Sequence, residues 1–277
     1  EEKVGYPNAY RLMQFDYADS LRYNATSDQL AEIAQTSPSR ITRLWALKIL
    51  TEERNDNIFN ILKQAINDTT SVNNIFRFEG EVKIPFNHCV FSVYYRNVDE
   101  DQPTQQRAAI DSLMFFDYMK KYGYQAGFLE CLQPLKSYYP TIIKEADKGN
   151  EEVLMFLARY KNKKDIARID KFLKLDLKKN GGLTNLSYWV LHTWEKPDFE
   201  EYAKAVCQTA VKEKLHYGNG RYTRILWSYP APWSYDILKD MISQEEQYRN
   251  DSPTKIFLQQ QAKDSAFPQV FRPLIEK

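Results

Sequence analysis

Glycine is scarce in this chain and long apolar runs are missing. Only 9 of the 277 residues are glycine, although glycine-rich nucleotide loops and the tight turns of β-sandwiches need glycines that adopt positive φ. Both kinds of fold are therefore disfavoured, whereas helices need few glycines. Because the apolar residues do not form runs long enough to cross a bilayer, we expect no integral membrane segment.

Cysteine and net charge are low as well. Cys89, Cys131 and Cys207 are widely spaced and odd in number, so they form neither a disulfide framework nor a CxxC motif, and we expect them to be buried. The 38 lysines and arginines nearly balance 37 acidic residues, for a net charge of +1. No global field therefore attracts nucleic acid, and we expect no nucleic-acid partner.

The common motifs of catalysis and cofactor binding are also missing. His88, His192 and His216 are isolated, with no pair at the spacing that places two imidazoles on one metal ion. No GxSxG, phosphate-loop or HExxH motif occurs, and residues 218–220 lack the strand and third glycine of a dinucleotide fingerprint. We predict no metal, no cofactor and no catalytic residue, and the sequence favours a protein that is not an enzyme.

Amphipathic helical patterns dominate what remains. Apolar side chains recur at helical spacing from Tyr10 to Leu21 and, after a Thr26-Ser27 capping signal, from Leu30 to Ala34. The spacing continues through residues 38–67, where Pro38 lies near a helix start. The pattern returns at residues 105–122, 128–143, 154–173, 186–206 and 225–242. The fold class is therefore predicted to be all-α.

Polar residues punctuate these helices at regular intervals. Asp165, Asp198 and Ser234 are predicted N-caps that lie 33 and 36 residues apart, which is the length of one helix-turn-helix unit. Asp56 lies about three such periods earlier. No linker rich in Gly, Ser or Pro divides the chain, so we predict one helical-repeat domain over residues 1–277 that is degenerate in the middle, at residues 79–150.

Residues 79–97 break the helical pattern. They include Val82, Ile84, Val90 and Val93, a composition that favours strands. A short β-hairpin and an irregular helical insert are both consistent with this segment.

The string VLMFLARYKNKKDIARIDKFL, which ends at Leu173, consists of an apolar helix end, a polar turn, an Asp and an apolar helix start. It resembles the HEAT-like repeat, including the PBS-lyase type, and residues 39–68 and 186–210 look similar. The resemblance covers about half the chain. It implies an α-solenoid of antiparallel helix pairs that binds proteins, peptides or other extended ligands along its surface.

Two segments stand out within the repeats. Residues 159–179 contain nine basic and three acidic residues, which indicates either a stripe that binds phosphate or an acidic partner, or a solvated helix face. Residues 216–235 are rich in aromatic residues, prolines and glycines and are predicted to form loops. We predict five ligand-binding residues there, with packing between repeats as the alternative: Tyr222, Trp227, Tyr229, Trp233 and Tyr235.

The predicted function is that of a non-catalytic scaffold for a protein or peptide partner. The alternative is a glycan-binding protein or carbohydrate-active enzyme of the α/α type that uses residues 217–235 with carboxylates such as Glu195 and Asp236. The chain starts at Glu1 rather than at a methionine. We therefore expect that a leading segment was removed, and we slightly favour export to the periplasm or cell surface over the cytoplasm.

Overall fold

Helices form where apolar side chains recur at helical spacing, as the sequence predicts. The computed structural model describes residues 13–73, 83–98, 105–194, 197–216, 220–248, 251–263 and 266–276. Within these ranges the chain forms sixteen α-helices and one two-stranded sheet, which confirms the all-α prediction. No helix in the described part of the chain is both long enough and apolar enough to span a bilayer.

The chain divides into two compact units, Glu1–Gln133 and Pro134–Lys277. The first unit contains α1 (Met13–Asn24), α2 (Ser27–Thr36), α3 (Arg40–Glu52), α4 (Ile58–Ala65), β1 (Ser71–Asn73), β2 (Lys83–Pro85), α5 (Phe86–Asn97), α6 (Gln105–Leu113), α7 (Lys120–Tyr122) and α8 (Ala126–Cys131). A π-helical segment, Met114–Met119, joins α6 to α7. The organisation of the chain as a single repeat domain stays a prediction.

The second unit continues the helical pattern to the end of the chain. It contains α9 (Tyr139–Asp147), α10 (Glu152–Ala158), α11 (Ile166–Asn180), α12 (Asn185–Trp194), α13 (Glu200–Lys212), α14 (Arg221–Ser228), α15 (Pro232–Tyr248) and α16 (Pro253–Gln261). A 3-10 helix, Gln269–Leu274, packs on α15 and α16.

Helices in both units pack on their neighbours two places along the chain. In the first unit α3 packs on α1 and α5, and α4 packs on α2 and α6. In the second unit α12 packs on α10 and α14, and α13 packs on α11 and α15. Each unit therefore contains helices that contact both the next helix and the one after it in the chain.

Each unit has its own apolar core. In the first, the largest fully buried side chains include Tyr94, Phe86 and Phe115. In the second they include Trp194 and Phe156. The six residues from 153 to 158 on α10 are all buried, so this helix is covered on every side. Cys207 is buried as predicted, whereas Cys89 and Cys131 are half-buried.

Helices begin near the predicted positions, but most of the predicted side-chain capping bonds are not formed. Thr26 caps α2 as expected: its Oγ1 accepts from the Gln29 backbone N–H, and Gln29 bonds back to the Thr26 N–H. Asp165 occupies the N-cap position of α11, but its carboxylate makes no capping bond. It accepts instead from the Tyr139 hydroxyl at 2.8 Å and from Arg168 Nη1 at 2.9 Å.

The other predicted caps likewise bond elsewhere. Asp198 lies in the turn before α13 and accepts from Trp194 Nε1 at 2.9 Å. Ser234 lies inside the first turn of α15, where its hydroxyl bonds the preceding turn at the carbonyls of Tyr229 and Ala231. Asp56 precedes α4, whose N-cap residue, Asn57, makes no side-chain capping bond. As side-chain caps, Asp165, Asp198, Ser234 and Asp56 are therefore wrong, whereas Thr26 is right.

Residues 79–82 lie outside the described residues, and the rest of the segment to 97 is a short strand followed by a helix. A short hairpin is present, but it pairs Ser71–Asn73 with Lys83–Pro85 in antiparallel register, Val72 opposite Ile84. Of the two alternatives for the residues after Pro85, the strand is wrong and the helix is right, because they form α5. Val90 and the other β-prone residues of this helix are buried and α5 packs on α3, so tertiary packing outweighs intrinsic propensity.

Candidate functional site

The aromatic segment predicted to form loops is mostly helical. Residues 217–219 lie outside the described residues, Arg221–Ser228 is α14, and α15 begins at Pro232. Proline suits this first helical position because its missing N–H has no helical partner there. The loop prediction is thus wrong, apart from the short turn at residues 229–231.

Two of the five predicted ligand-binding residues lie in the core. Tyr222 is only 2% exposed, and its hydroxyl accepts from the Leu183 backbone N–H at 3.2 Å. Tyr229 is 6% exposed, and burial, with nearby Glu200, raises the pKa of its hydroxyl well above the usual value. Both rings therefore present little surface to a ligand and fit the packing interpretation.

Trp227 lines an open groove, named here the Trp227 groove, of about 560 Å³. Its lining comes from α12, α14 and α16: His192, Arg224, Trp227, Ser228, Phe257 and Gln261. The half-buried indole packs against Phe267 at 5.3 Å and Phe271 at 5.8 Å between ring centroids. Aromatic packing thus fixes the indole while part of it stays accessible.

The rim of the Trp227 groove is cationic and aromatic. Arg224 is exposed and pairs with no carboxylate in the described ranges. His192 is exposed and stacks on Tyr188, with interplanar angle 7°, and the neighbouring Trp189 ring is 38% exposed. The groove therefore combines an apolar floor with a positive charge that has no carboxylate partner among the residues that the structure describes.

Trp233 lines a different groove, named here the Trp233 groove, of about 430 Å³ between α13 and α15. Its indole Nε1 donates to Glu200 Oε1 at 2.6 Å, which fixes the ring. The groove also contains Asp236 and Asp240, with Lys204 and Lys212. The two tryptophans singled out in the sequence thus belong to separate surfaces, and Tyr235, which is half-buried, lines neither groove.

Carboxylates do not converge on the Trp227 groove. Its lining residues include none, Asp236 belongs to the Trp233 groove, and Glu195 lies outside the described residues. Asp236 and Asp240 are one turn apart on the same helix, so they share a wall of the Trp233 groove rather than face each other across it. A glycosidase needs two carboxyl groups on opposite sides of the scissile bond.

The first unit holds a cavity of about 550 Å³ that sequence reasoning missed. Tyr94 and Arg107 line it, and behind them lies a buried network. Arg107 Nε donates to Asp111 Oδ1 at 2.8 Å, and the Tyr95 hydroxyl donates to the same oxygen at 2.9 Å. Burial raises the pKa of Asp111, although Arg107 opposes this, and burial raises the pKa of Tyr94 to about 12.

This network neutralises the cavity's arginine internally. Arg107 Nη2 also donates to the Cys131 carbonyl at 2.8 Å, so the guanidinium is held by groups of its own unit. The sequence signal for such a pair is a basic and an acidic residue four positions apart on one helix, as at Arg107 and Asp111. Across the described residues, no group of three or more His, Cys, Asp or Glu side chains could hold a metal ion.

Comparison of the chain with known proteins returned no matching protein-family model, no matching curated protein and no matching solved structure.

Proposed function

We propose that this protein is a non-catalytic interaction scaffold built from HEAT-like helix pairs, and that the second unit binds a peptide in the Trp227 groove. Contacts between helices two places apart in the chain, which occur in both units, support the repeat. α11, α13 and α15 begin at Ile166, Glu200 and Pro232, close to the spacing of the predicted caps. One amphipathic pair cannot bury its apolar face alone, so stacked pairs leave a long surface for recognition.

The observation that carries the binding proposal is the Trp227 groove itself. Trp227 and Phe257 offer apolar surface that is already held in place, so a ligand loses little affinity to ordering them. Beside this floor, Arg224 offers an exposed cation that pairs with no carboxylate in the described part of the chain. The groove therefore suits a peptide that places an apolar side chain on the indole and a carboxylate on Arg224.

Glycan binding is the second candidate for the same groove. Sugars stack on indole faces, and the polar lining residues Gln261, Ser228 and His192 can bond to hydroxyl groups. The absence of lining carboxylates favours binding over hydrolysis at this groove. A neutral glycan would depend on the indole and much less on the charge of Arg224.

A displayed peptide library and a glycan array, each probed with the whole chain, separate these candidates. We expect peptides with an acidic and an apolar residue, and a loss of at least about tenfold in affinity for Arg224→Glu. Trp227→Phe keeps a ring against Phe271 and is expected to bind several-fold more weakly. The matched controls, Lys239→Glu on exposed α15 surface and Trp233→Phe, should bind like the wild type.

The outcomes differ clearly between the candidates. Glycan binding that Trp227→Phe weakens and Arg224→Glu leaves intact would replace the peptide proposal. If Trp233→Phe weakens binding of a peptide or a glycan and Trp227→Phe does not, the binding site is the Trp233 groove, which contradicts the proposal. Failure to select any peptide or glycan would contradict recognition by this surface.

A further inference from the structure

The basic excess of residues 159–179 becomes stronger on the folded surface. Two of its three acidic residues face inward: Asp165 is 2% exposed and Asp176 is 7% exposed. Asp176 accepts from Thr184 Oγ1 at 2.8 Å and from Asn180 Nδ2 at 2.7 Å. Only Asp170 remains near the surface, where it pairs with Lys174 at 2.6 Å.

The exposed lysines share one face of α11. Lys171, Lys174, Leu175 and Lys178 lie at helical positions i, i+3, i+4 and i+7 and are all exposed. Lys164, in the 3-10 helix Lys163–Asp165 that leads into α11, is exposed as well. These five residues are named here the lysine face.

The opposite side of α11 fixes the orientation of this face. Ile169, Phe172 and Leu173 are buried, so α11 cannot rotate without exposing apolar surface. Lys164, Lys171 and Lys178 have no carboxylate within ion-pair distance among the described residues. Leu175, 57% exposed, lies in the middle of the lysine face.

We propose that the lysine face docks this protein on an anionic lipid surface, with Leu175 entering the headgroup region. This inference goes beyond the proposed peptide binding and does not depend on it. Clusters of four or more lysines attract anionic headgroups, and each lysine near such a surface raises affinity about fivefold. A single apolar side chain amid the lysines adds contact with the interfacial region.

Three features favour a lipid surface over another polyanion. The cations are lysines, compact charges without the forked geometry with which arginine reads phosphate or carboxylate groups one by one. No aromatic side chain belongs to the lysine face, so it offers no stacking platform for nucleic-acid bases. The face is an exposed helix surface that lines none of the described grooves, which suits a flat partner better than an extended acidic peptide.

Vesicle co-sedimentation of the whole chain tests this proposal. The vesicles are phosphatidylcholine alone or with about one third phosphatidylserine. We expect binding only to the anionic vesicles, weakening as salt is added. The triple variant Lys171→Glu, Lys174→Glu, Lys178→Glu should bind at least about a hundredfold more weakly, and Leu175→Ser several-fold more weakly.

A matched control carries the same charge change on other helices: Lys63→Glu, Lys120→Glu, Lys239→Glu, all at exposed positions. We expect it to lose much less affinity, and the corresponding three lysine-to-arginine changes on α11 to keep binding. Circular dichroism establishes that each variant is folded. Equal losses in the two triple glutamate variants, or no binding to anionic vesicles, would overturn the proposal. Binding to poly-glutamate but not to vesicles would assign the face to an acidic protein instead.

Discussion

At the scale of single residues, three basic side chains end helices in a conformation that usually needs glycine. Arg54, Lys161 and Lys214 have φ values of 58°, 50° and 56°. Each follows a helix C-terminus, where a positive charge is favourable, but the left-handed backbone costs an L-residue about 1–2 kcal/mol. Gly149 and Gly181 occupy equivalent positions with φ of 84° and 67°.

We therefore predict that Lys161→Gly stabilises the second unit by about 1 kcal/mol. Lys161 is exposed, so the change removes strain without removing a packed side chain. Urea unfolding followed by tryptophan fluorescence measures it, because four of the five tryptophans belong to the second unit. Lys178→Gly, inside α11, should instead destabilise it by about 1 kcal/mol. Equal destabilisation in both variants would contradict the strain argument.

A second residue-scale prediction concerns pH and Asp68 in the first unit. Its carboxylate bonds Arg40 Nε at 3.2 Å and the Thr70 N–H at 3.1 Å. Burial alone would raise the pKa of Asp68, but its bonds to Thr70 and Arg40 outweigh burial and lower it below 3.8. The carboxylate therefore stabilises the fold above pH 3.8, and this contribution is lost as the pH falls through the lowered value.

Asp68→Asn should therefore speed amide hydrogen exchange in α3 and α5 at neutral pH. The difference in exchange rate from the wild type should shrink as the pH falls below the unfolded-state pKa of Asp68. Exchange followed by mass spectrometry, corrected for intrinsic rates, measures it. Asp56→Asn, at an exposed position, is the control and should match the wild type at every pH. A difference that persists undiminished in acid would show that the charge of Asp68 is not the cause.

Side-chain roles were the least predictable part of the sequence. Asp165 and Asp198 stand where helix starts are expected, yet their carboxylates bond Tyr139 and Trp194, which no local pattern indicates. Tyr222 and Trp227 both carry aromatic rings in α14, but only the second is accessible. Local spacing predicts which residues share a helix face, whereas burial depends on neighbours distant in the chain.

At the scale of elements, a buried carboxylate of α15 accepts hydrogen bonds from the first residues of α16. Glu245 is 3% exposed and accepts from the Ser252 hydroxyl, from the Thr254 N–H at 3.0 Å and from Thr254 Oγ1 at 2.9 Å. This carboxylate contributes strongly to stability, because without it each of the three donors would be buried without a hydrogen-bond partner. This contact also places Phe257 of α16 beside Trp227.

Glu245→Gln is expected to destabilise the second unit by about 1.5–3 kcal/mol. The side-chain NH₂ of glutamine would replace one carboxylate oxygen and face the N–H and hydroxyl groups that donate to Glu245. Tryptophan fluorescence in urea measures the shift, and binding at the Trp227 groove should weaken with it. The neighbouring Glu246→Gln is the control, since that side chain is exposed and its one bond to a described residue is to Lys255, at 3.3 Å. It should change stability by less than about 0.5 kcal/mol.

Most helices were predictable from apolar spacing, and two of the exceptions have physical reasons. α5 carries β-prone residues and becomes a helix because α3 and α4 cover it. α16 was not predicted, although Ser252 before Pro253 is a clear start signal: Ser252 caps the helix and Pro253 occupies its first turn. The apolar pattern of α16 is short and centred on Leu258, so apolar spacing alone did not predict this helix.

At the scale of the whole molecule, periodicity predicts the alternation of helices but not where one core ends and another begins. Both units contain contacts between helices two places apart in the chain, so this kind of contact recurs on both sides of residue 133. Linker composition gave no sign of this division, because Gln133-Pro134 lies within an ordinary polar turn. A core boundary depends on which helices share buried side chains, and that information is not local.

The separate cores lead to a prediction about folding. The second unit buries Trp194, Phe199 and Phe271 among its own helices, and 144 residues are enough for an independent core. Residues 134–277 expressed alone should therefore be helical by circular dichroism and unfold in urea in one cooperative transition.

The tryptophans supply the readout. Their fluorescence midpoint in residues 134–277 should lie close to that of the full chain, since helices of the same unit bury Trp194 and pack Trp227. Lys161→Gly should raise the midpoint in both, because its strain is local to the end of α10. A fragment that is helical but lacks a cooperative transition would mean that the second unit draws its packing from the rest of the chain, as a single continuous repeat domain requires.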